Sequence, residues 1–307
     1  MSYIFEALQR AEAERSGGSL PNNAESVADL LQGVEREIER RQAHEELPVE
    51  VQADLRGTES FASAKVLIPA LPADSRLVCL TDQGSLAAEK FRVLGLKLRN
   101  LRERRKLKRI VVTGTAPEEG KSLVAVNLAL NQSRSKVLKT LLIDGDLRRP
   151  TVATRFGFER NLPGLSECLR GERQLSDVVY KLNSSGLWFL PAGRTPENPL
   201  DLMQSGRVPE LLDRLGNFFD WIVIDTPPVV PVADTTFWMK LADGVLLVIR
   251  EGVSEKKVVE RALDSFDRAA LLGVVVNSCS REHKDYYSRY SQAVDRTGEA
   301  PPFAENE

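Results

Sequence analysis

The stretch from Arg109 to Leu123, RIVVTGTAPEEGKSL, constrains the fold of this chain more than any other. Ile110, Val111 and Val112 make an apolar run of strand length. Gly114, Pro117 and Gly120 then break it into a loop, and SLVAVNLALNQ follows with helical spacing. A strand that runs through a glycine-bearing loop into a helix suits an anion such as phosphate. Successive backbone N–H groups curl around the anion, the helix N-terminus adds its positive end, and a lysine, here Lys121, reaches the outer phosphates. Ser122 then offers a hydroxyl to Mg²⁺. The spacing departs from G-x-x-x-x-G-K-[ST], because Thr115 stands five positions before Gly120 and Gly114 lies one earlier. Glu118 and Glu119 also bring two carboxylates beside the phosphates, which lowers affinity unless they point outward or bind a cation. Taken alone, the stretch also reads as an ordinary turn between a strand and a helix.

Two later stretches narrow the choice. In TLLIDGDLRRP, three apolar residues (Leu141, Leu142, Ile143) precede Asp144, and Asp146 follows two positions on. If extension continues that far, alternation puts both carboxylates on one face. FDWIVIDTPPVV repeats the logic, with Ile222, Val223 and Ile224 before Asp225. An aspartate after a strand is also a common turn or helix N-cap residue. Two hydrophobic strands that each end in aspartate nevertheless suit a parallel sheet whose carboxyl edge binds Mg²⁺ and nucleotide.

Together the three motifs resemble the Walker A, A′ and B motifs of the bacterial tyrosine kinases that control capsule and exopolysaccharide export. Thr115, Pro117, Glu119, Gly120, Lys121 and Ser122 match the family's first motif, with Glu118 where the family usually has glycine. Asp144, Asp146 and Arg148 match the second, and Asp225, Pro227 and Pro228 the third. The stretch from Leu190, LPAGRTPENPLDLMQSGRVPELL, resembles the segment between them, and the likeness runs from about Leu77 to Asn277.

The resemblance implies an α/β P-loop NTPase fold, a mostly parallel β-sheet with helices on both faces, and ATP with Mg²⁺ as cofactors. It implies a nucleotide cradle made of Thr115, Ala116, Pro117, Glu118, Glu119, Gly120, Lys121, Ser122 and Leu123. Lys121 is expected to neutralise the β- and γ-phosphates, Ser122 to bind the metal directly, Asp225 to hold it through water and Asp144 to complete its surroundings. Asp146 is the expected group to orient or deprotonate a tyrosine hydroxyl. Asn277, at the end of the last strand, is expected to contact adenine. The N-K-x-D guanine signature is missing, so the base expected is adenine. Glu89 and Arg92 match the first two positions of an E-x-x-R-x-x-R motif that the family uses for self-association, while Gly95 stands at the third.

The rest of the chain divides into residues 1–42, two amphipathic helical patterns; 43–72, a linker with Pro48, Pro69 and Pro72; 73–280, the P-loop domain; and 281–307, a flexible tail. Leu77 to Leu80 reads as a short strand entering the domain, and a helix follows from about Ser85 to Arg104. The basic run Arg102 to Arg109 reads as a solvated helix end, or as a contact for a membrane surface or a subunit. LADGVLLVIREG and LLGVVVNSCS read as further strands with a helix between them. Alternating strands and helices argue for a parallel sheet covered on both faces.

A formal net charge of −2 with 28% charged residues gives no reason to expect nucleic acid. The three cysteines have no metal-ligand spacing and read as small core residues of a reducing compartment. No apolar run approaches about 18 residues, so no membrane span is expected. The N-terminus lacks signal-peptide regions, and cytoplasmic residence is expected.

The tail carries Tyr286, Tyr287 and Tyr290, three of the chain's five tyrosines. The resemblance makes them phosphoacceptors and the protein an ATP-dependent autokinase. It also implies a homo-oligomer, activated at the inner face of the membrane by a membrane-embedded polysaccharide chain-length regulator. Two other readings fit the same motifs: a ParA- or MinD-like ATPase switch, and a weakly catalytic nucleotide-binding regulator of a polysaccharide export complex. ParA and MinD relatives usually carry an extra lysine early in the loop, where this chain has Thr115 and Ala116.

Overall fold

The structure is a computed structural model that describes residues 61, 64–183, 185–229, 233–265, 267 and 269–278. Contacts divide the chain between Thr58 and Glu59, and every described residue lies in the second unit. The expected N-terminal helices and the tail tyrosines Tyr286, Tyr287 and Tyr290 lie outside the described residues.

The elements in chain order are β1 (Val66–Leu67), α1 (Val78–Thr81), α2 (Leu86–Arg104), β2 (Arg109–Gly114), α3 (Lys121–Gln132), β3 (Thr140–Asp144) and α4 (Val152–Arg155). They continue with α5 (Leu165–Arg170), α6 (Leu175–Val178), β4 (Tyr180–Leu182), β5 (Trp188–Leu190), α7 (Pro199–Met203) and α8 (Arg207–Phe218). The last are β6 (Trp221–Asp225), α9 (Ala233–Leu241), β7 (Gly244–Arg250), α10 (Lys256–Asp264) and β8 (Leu271–Asn277).

The strands form one sheet in the order β1-β4-β5-β3-β6-β2-β7-β8. Every adjacent pair is parallel except β4 and β5, where Tyr180 opposes Phe189 in antiparallel register. The expected α/β architecture is therefore present, with one reversal near an edge. A short loop joins β4 directly to β5, and a direct hairpin connection permits only antiparallel pairing.

Because side chains alternate along a strand, the sheet has two cores. Val111, Leu141, Ile143, Ile222, Ile224 and Leu247 pack against residues of α5 to α10. Ile110, Val112, Leu142, Val223 and Val248 pack on the other face, with residues of α1 to α4. α3 is buried from Val124 to Gln132, and so carries apolar residues nearly all round. Its buried Asn127 is satisfied locally: Oδ1 accepts from the Cys79 N–H at 3.0 Å, and Nδ2 donates to the Arg76 and Leu123 carbonyls at 3.1 and 3.0 Å.

That hydrogen bond bears on the first correction. Leu77 to Leu80 is not a strand but leads into the single turn α1, closed by Leu80 N–H to the Leu77 carbonyl at 2.8 Å. The segment has no neighbouring strand to pair with, and Asn127 takes its free N–H. The linker boundary also moves. Phe61 is only 2% exposed and stacks edge-on against Phe218, while Val66–Leu67 adds a strand beside β4, so the folded unit starts before residue 73. Proline spacing made this segment look like linker, but a strand of two residues carries no periodicity to read.

α2 appears where expected, with Ser85 as its N-cap accepting from the Ala88 N–H at 3.2 Å. The basic run that follows is only partly a solvated end: Arg104 and Lys106 are exposed, but its other cations are held against the fold. Arg102 lies 4.9 Å over the Trp221 ring, Arg105 donates to the Ala269 and Asp243 carbonyls, and Lys108 donates to the Gly216 carbonyl at 2.6 Å. These cations tie the end of α2 to the amino edge of the sheet, opposite the motifs.

Candidate functional site

β2, β3 and β6 are buried along nearly their whole length and deliver their last residues to one edge. Between β3 and β6 the register pairs Asp144 with Asp225, and between β2 and β6 it pairs Val112 with Asp225. Asp144 and Asp225 are thus direct neighbours on parallel strands, one strand spacing of about 4.8 Å apart and facing the same way. From β2 the chain crosses to β3 on one side, and from β6 it crosses to β7 on the other. A ligand crevice forms at the carboxyl ends of strands where the winding reverses in this way.

The extension predicted to bring Asp146 onto the face of Asp144 ends at Asp144. Gly145 N–H turns to the Asp225 carbonyl at 2.8 Å, and Trp238 Nε1 donates to the Gly145 carbonyl at 3.1 Å. Asp146 is held by a turn of its own, with Oδ1 accepting from the Arg148 and Arg149 N–H groups at 3.1 and 2.9 Å. Its charge still acts on Lys121, so the turn reaches the same site by another route. Arg148 forks onto buried Asp234 at 2.7 and 3.0 Å and fixes the far side of this loop.

In the phosphate loop, Lys121 Nζ folds back onto the Ala116 carbonyl at 2.7 Å. Burial lowers the lysine's pKa, and the charges of Asp225, Glu119 and Asp146 partly restore it. Ser122 Oγ accepts from Thr151 Oγ1 at 3.2 Å. Burial pushes Asp225 up to about 7, opposed by the nearby Ser122 hydroxyl and the Lys121 charge. Burial, with the Asp225 charge beside it, also raises Asp144, although Val152 N–H donates to its Oδ2 at 3.1 Å. Burial raises Asp146 as well, against the two N–H groups that hold it.

The two loop glutamates divide. Glu118 is exposed at φ 65°, a left-handed conformation that glycine adopts freely, which explains the family's glycine at this place. Glu119 does not point outward: it turns inward and is fully buried. Its Oε2 accepts from the Thr115 and Ala116 N–H groups at 2.6 and 3.0 Å, and Oε1 from Thr115 Oγ1 at 2.5 Å and Ser254 Oγ at 2.6 Å. The carboxylate is therefore part of the loop's scaffold. Gly114 makes room for it, since a Cβ there would lie 2.3 Å from Glu119 Oε2 and 2.8 Å from the Val248 carbonyl. This is why the glycine stands one position earlier than the general motif requires.

Asn277 Nδ2, expected to face adenine, donates to the Glu119 carbonyl at 2.8 Å. Glu89 and Arg92, expected at a subunit contact, pair with each other along α2, and Arg92 also donates to the Gln83 carbonyl.

The site fits a hard divalent cation. Asp225 Oδ1 is buried and has no hydrogen-bond partner, and beside it stand the Asp144 carboxylate and the Ser122 hydroxyl, all oxygen donors. Pattern reading missed Thr151, Asp234, Trp238 and Ser254. Ser254 lies 135 positions from the glutamate it touches, and no short motif spans that interval.

A scan against protein-family models finds no match. The chain is 33% identical over 216 residues to the tyrosine-protein kinase YwqD of Bacillus subtilis, covering 70% of this chain and 90% of that one. The chain belongs to the bacterial tyrosine-protein kinase family. The kinase also resembles the crystal structure of the chimerical protein CapA2B2, with a TM-score of 0.64 and 30% identity over 71% of this chain and 96% of that one. The kinase domain of Escherichia coli tyrosine kinase ETK gives a TM-score of 0.62 at 28% identity, over 67% of this chain and 82% of that one. The kinase therefore has the P-loop fold that its three strand ends imply.

Proposed function

We propose that this kinase transfers the γ-phosphoryl group of ATP to tyrosines of its own C-terminal tail, Tyr286, Tyr287 and Tyr290. The observation that carries the reading is the convergence of Lys121, Ser122, Asp144, Asp146 and Asp225 at one sheet edge, with a buried carboxylate oxygen left for a cation. Ser122, Asp144 and Asp225 hold Mg²⁺, which supplies charge neutralisation at the phosphates. Lys121 leaves the Ala116 carbonyl for the outer phosphates. Asp146 orients the incoming tyrosine hydroxyl and takes its proton, a task that suits a carboxyl with a raised pKa. Asn277 contacts the adenine. Phosphoryl transfer is mostly positioning and electrostatics, so this set is chemically sufficient.

A tethered tail presents its acceptors at an effective concentration of about millimolar. A membrane-embedded polysaccharide chain-length regulator serves as the activating partner. On this reading the protein acts at the inner face of the membrane in capsule or exopolysaccharide export. A homo-oligomer forms through α2 when Glu89 and Arg92 exchange their internal pairing for a neighbour's.

The test is incubation of the full chain with labelled ATP and Mg²⁺, with and without the partner's cytoplasmic peptide, beside Lys121→Met. Phosphate mapped to Tyr286, Tyr287 or Tyr290, and lost in Lys121→Met, is expected. ATP binding with no phosphotyrosine in any arm assigns the nucleotide-switch reading instead.

A further inference from the structure

The end of β7 and the loop that leads to α10 clasp the phosphate loop at two points and are themselves tied together by a third hydrogen bond. Ser254 Oγ donates to the fully buried Glu119 carboxylate at 2.6 Å, Arg250 Nη1 donates to the Glu118 carbonyl at 3.2 Å, and Arg250 N–H donates to Ser254 Oγ at 2.8 Å. Asn277 closes the same corner, its carbonyl accepting from the Glu251 N–H at 3.1 Å while its amide holds the Glu119 carbonyl. A hydroxyl that bonds a buried carboxylate already engaged with two loop N–H groups and Thr115 fixes the path of the loop before any ligand arrives.

Strand order shows what lies on this side. The phosphate loop follows β2, and the aspartates end β6 and β3 on one flank, while β7 and β8 form the other. Asp144 and Asp225, side by side at the ends of β3 and β6, are the carboxylates that would hold the metal, which sets the outer phosphates toward β6. The nucleoside of the same nucleotide must then leave over β7 and β8, past Arg250–Ser254 and Asn277. Val253, 48% exposed, puts an apolar side chain on that loop.

We propose that Ser254 is a positioning residue for nucleotide binding: through Glu119 it locks the phosphate loop to the wall along which the nucleoside lies. This rests on the nucleotide-binding reading of the site and not on the identity of the phosphoacceptor.

The test is calorimetric titration of Mg·ATP into the full chain for wild type, Ser254→Ala, Ser254→Val and Ser254→Thr, each repeated with Glu119→Gln. A hydrogen bond to a charged buried group predicts a loss of about tenfold in affinity for Ala and Val. Threonine keeps the hydroxyl and is expected within about twofold of wild type, whereas valine has the same shape without it. In the Glu119→Gln background the further loss from Ser254→Ala is expected to fall below about twofold. Wild-type affinity in Ser254→Ala and Ser254→Val overturns the proposal, whether or not their melting temperatures fall. Equal losses with and without Glu119→Gln overturn it as well. Wild type that binds no ATP overturns the site reading beneath it, while ATP binding without tail phosphorylation removes only the autokinase reading.

Discussion

Gly95 of α2 packs on Asn131 of α3 so closely that a Cβ at Gly95 would lie 2.2 Å from Asn131 Nδ2. Helix propensity alone ranks alanine about 1 kcal/mol above glycine in mid-helix. The packing reverses that sign. Asn131 is 5% exposed, and Gln132 beside it is held by Arg99 Nε at 3.0 Å, so the neighbours have little room to move. Gly95→Ala is expected to destabilise by about 1–2 kcal/mol, read by urea unfolding. A more stable Gly95→Ala would show that Asn131 yields. The same contact accounts for the missing third arginine of the self-association motif, which this helix pair has no space for.

Asp225→Asn removes a buried charge whose Oδ1 has no partner. Without Mg²⁺ the variant is expected to melt higher than wild type, because the desolvation penalty of the charge disappears. It should also lose the Mg²⁺-dependent rise in melting temperature and about a hundredfold in phosphorylation rate. A variant that still gains stability from Mg²⁺ would place the ion elsewhere.

Glu118 holds a left-handed backbone at φ 65° and puts a carboxylate at the rim of the phosphate loop. Left-handed geometry costs a non-glycine residue about 1–2 kcal/mol, and glycine's larger unfolded-state entropy offsets about half of it. Glu118→Gly is expected to stabilise by about 0.5–1 kcal/mol. Removing the charge also predicts ATP binding about two- to threefold tighter, a gain that added salt should shrink. Unchanged affinity at low salt would mean that the side chain points clear of the phosphates.

Glu167 gives a pH signature away from the active site. Burial raises its pKa, but the N–H groups of Gly164 and Arg194 and the Arg194 guanidinium win and hold it below the ordinary 4.5. A depressed carboxylate stabilises the fold above its unfolded pKa, and that stability is lost as pH falls through the folded value. Glu167→Gln is therefore expected to cost about 1–3 kcal/mol at pH 7, with the gap to wild type closing below about pH 4.5. A constant gap down to pH 3 would contradict the assignment.

The residues that meet at the candidate site were legible in short stretches. Asp144 and Asp225 each sit where an apolar run breaks, Lys121 and Ser122 open the helix after a glycine-bearing loop, and a strand–loop–helix pattern is a local signal. Alternating strands and helices likewise announced a covered parallel sheet. Segments without periodicity misled: Leu77 to Leu80 is apolar enough for a strand but turns into α1, and β1 is too short to show any pattern.

What the sequence determined by itself was therefore the residue types and their order along the chain: a strand–loop–helix with a lysine and a serine at the helix start, and two strands ending in aspartate, which suffice to name the fold and the class of ligand. Tertiary structure decided which of them meet. The register of β3 on β6 sets Asp144 beside Asp225, and packing of α2 on α3 leaves little room for a side chain at Gly95. Folding of the β7–α10 loop onto the phosphate loop turns Glu119 from a repelling charge into a scaffold bound by Ser254. The physical reason is range: backbone periodicity and turn chemistry act over a few residues, whereas strand register and a buried carboxylate's partners are settled only when distant segments are desolvated together.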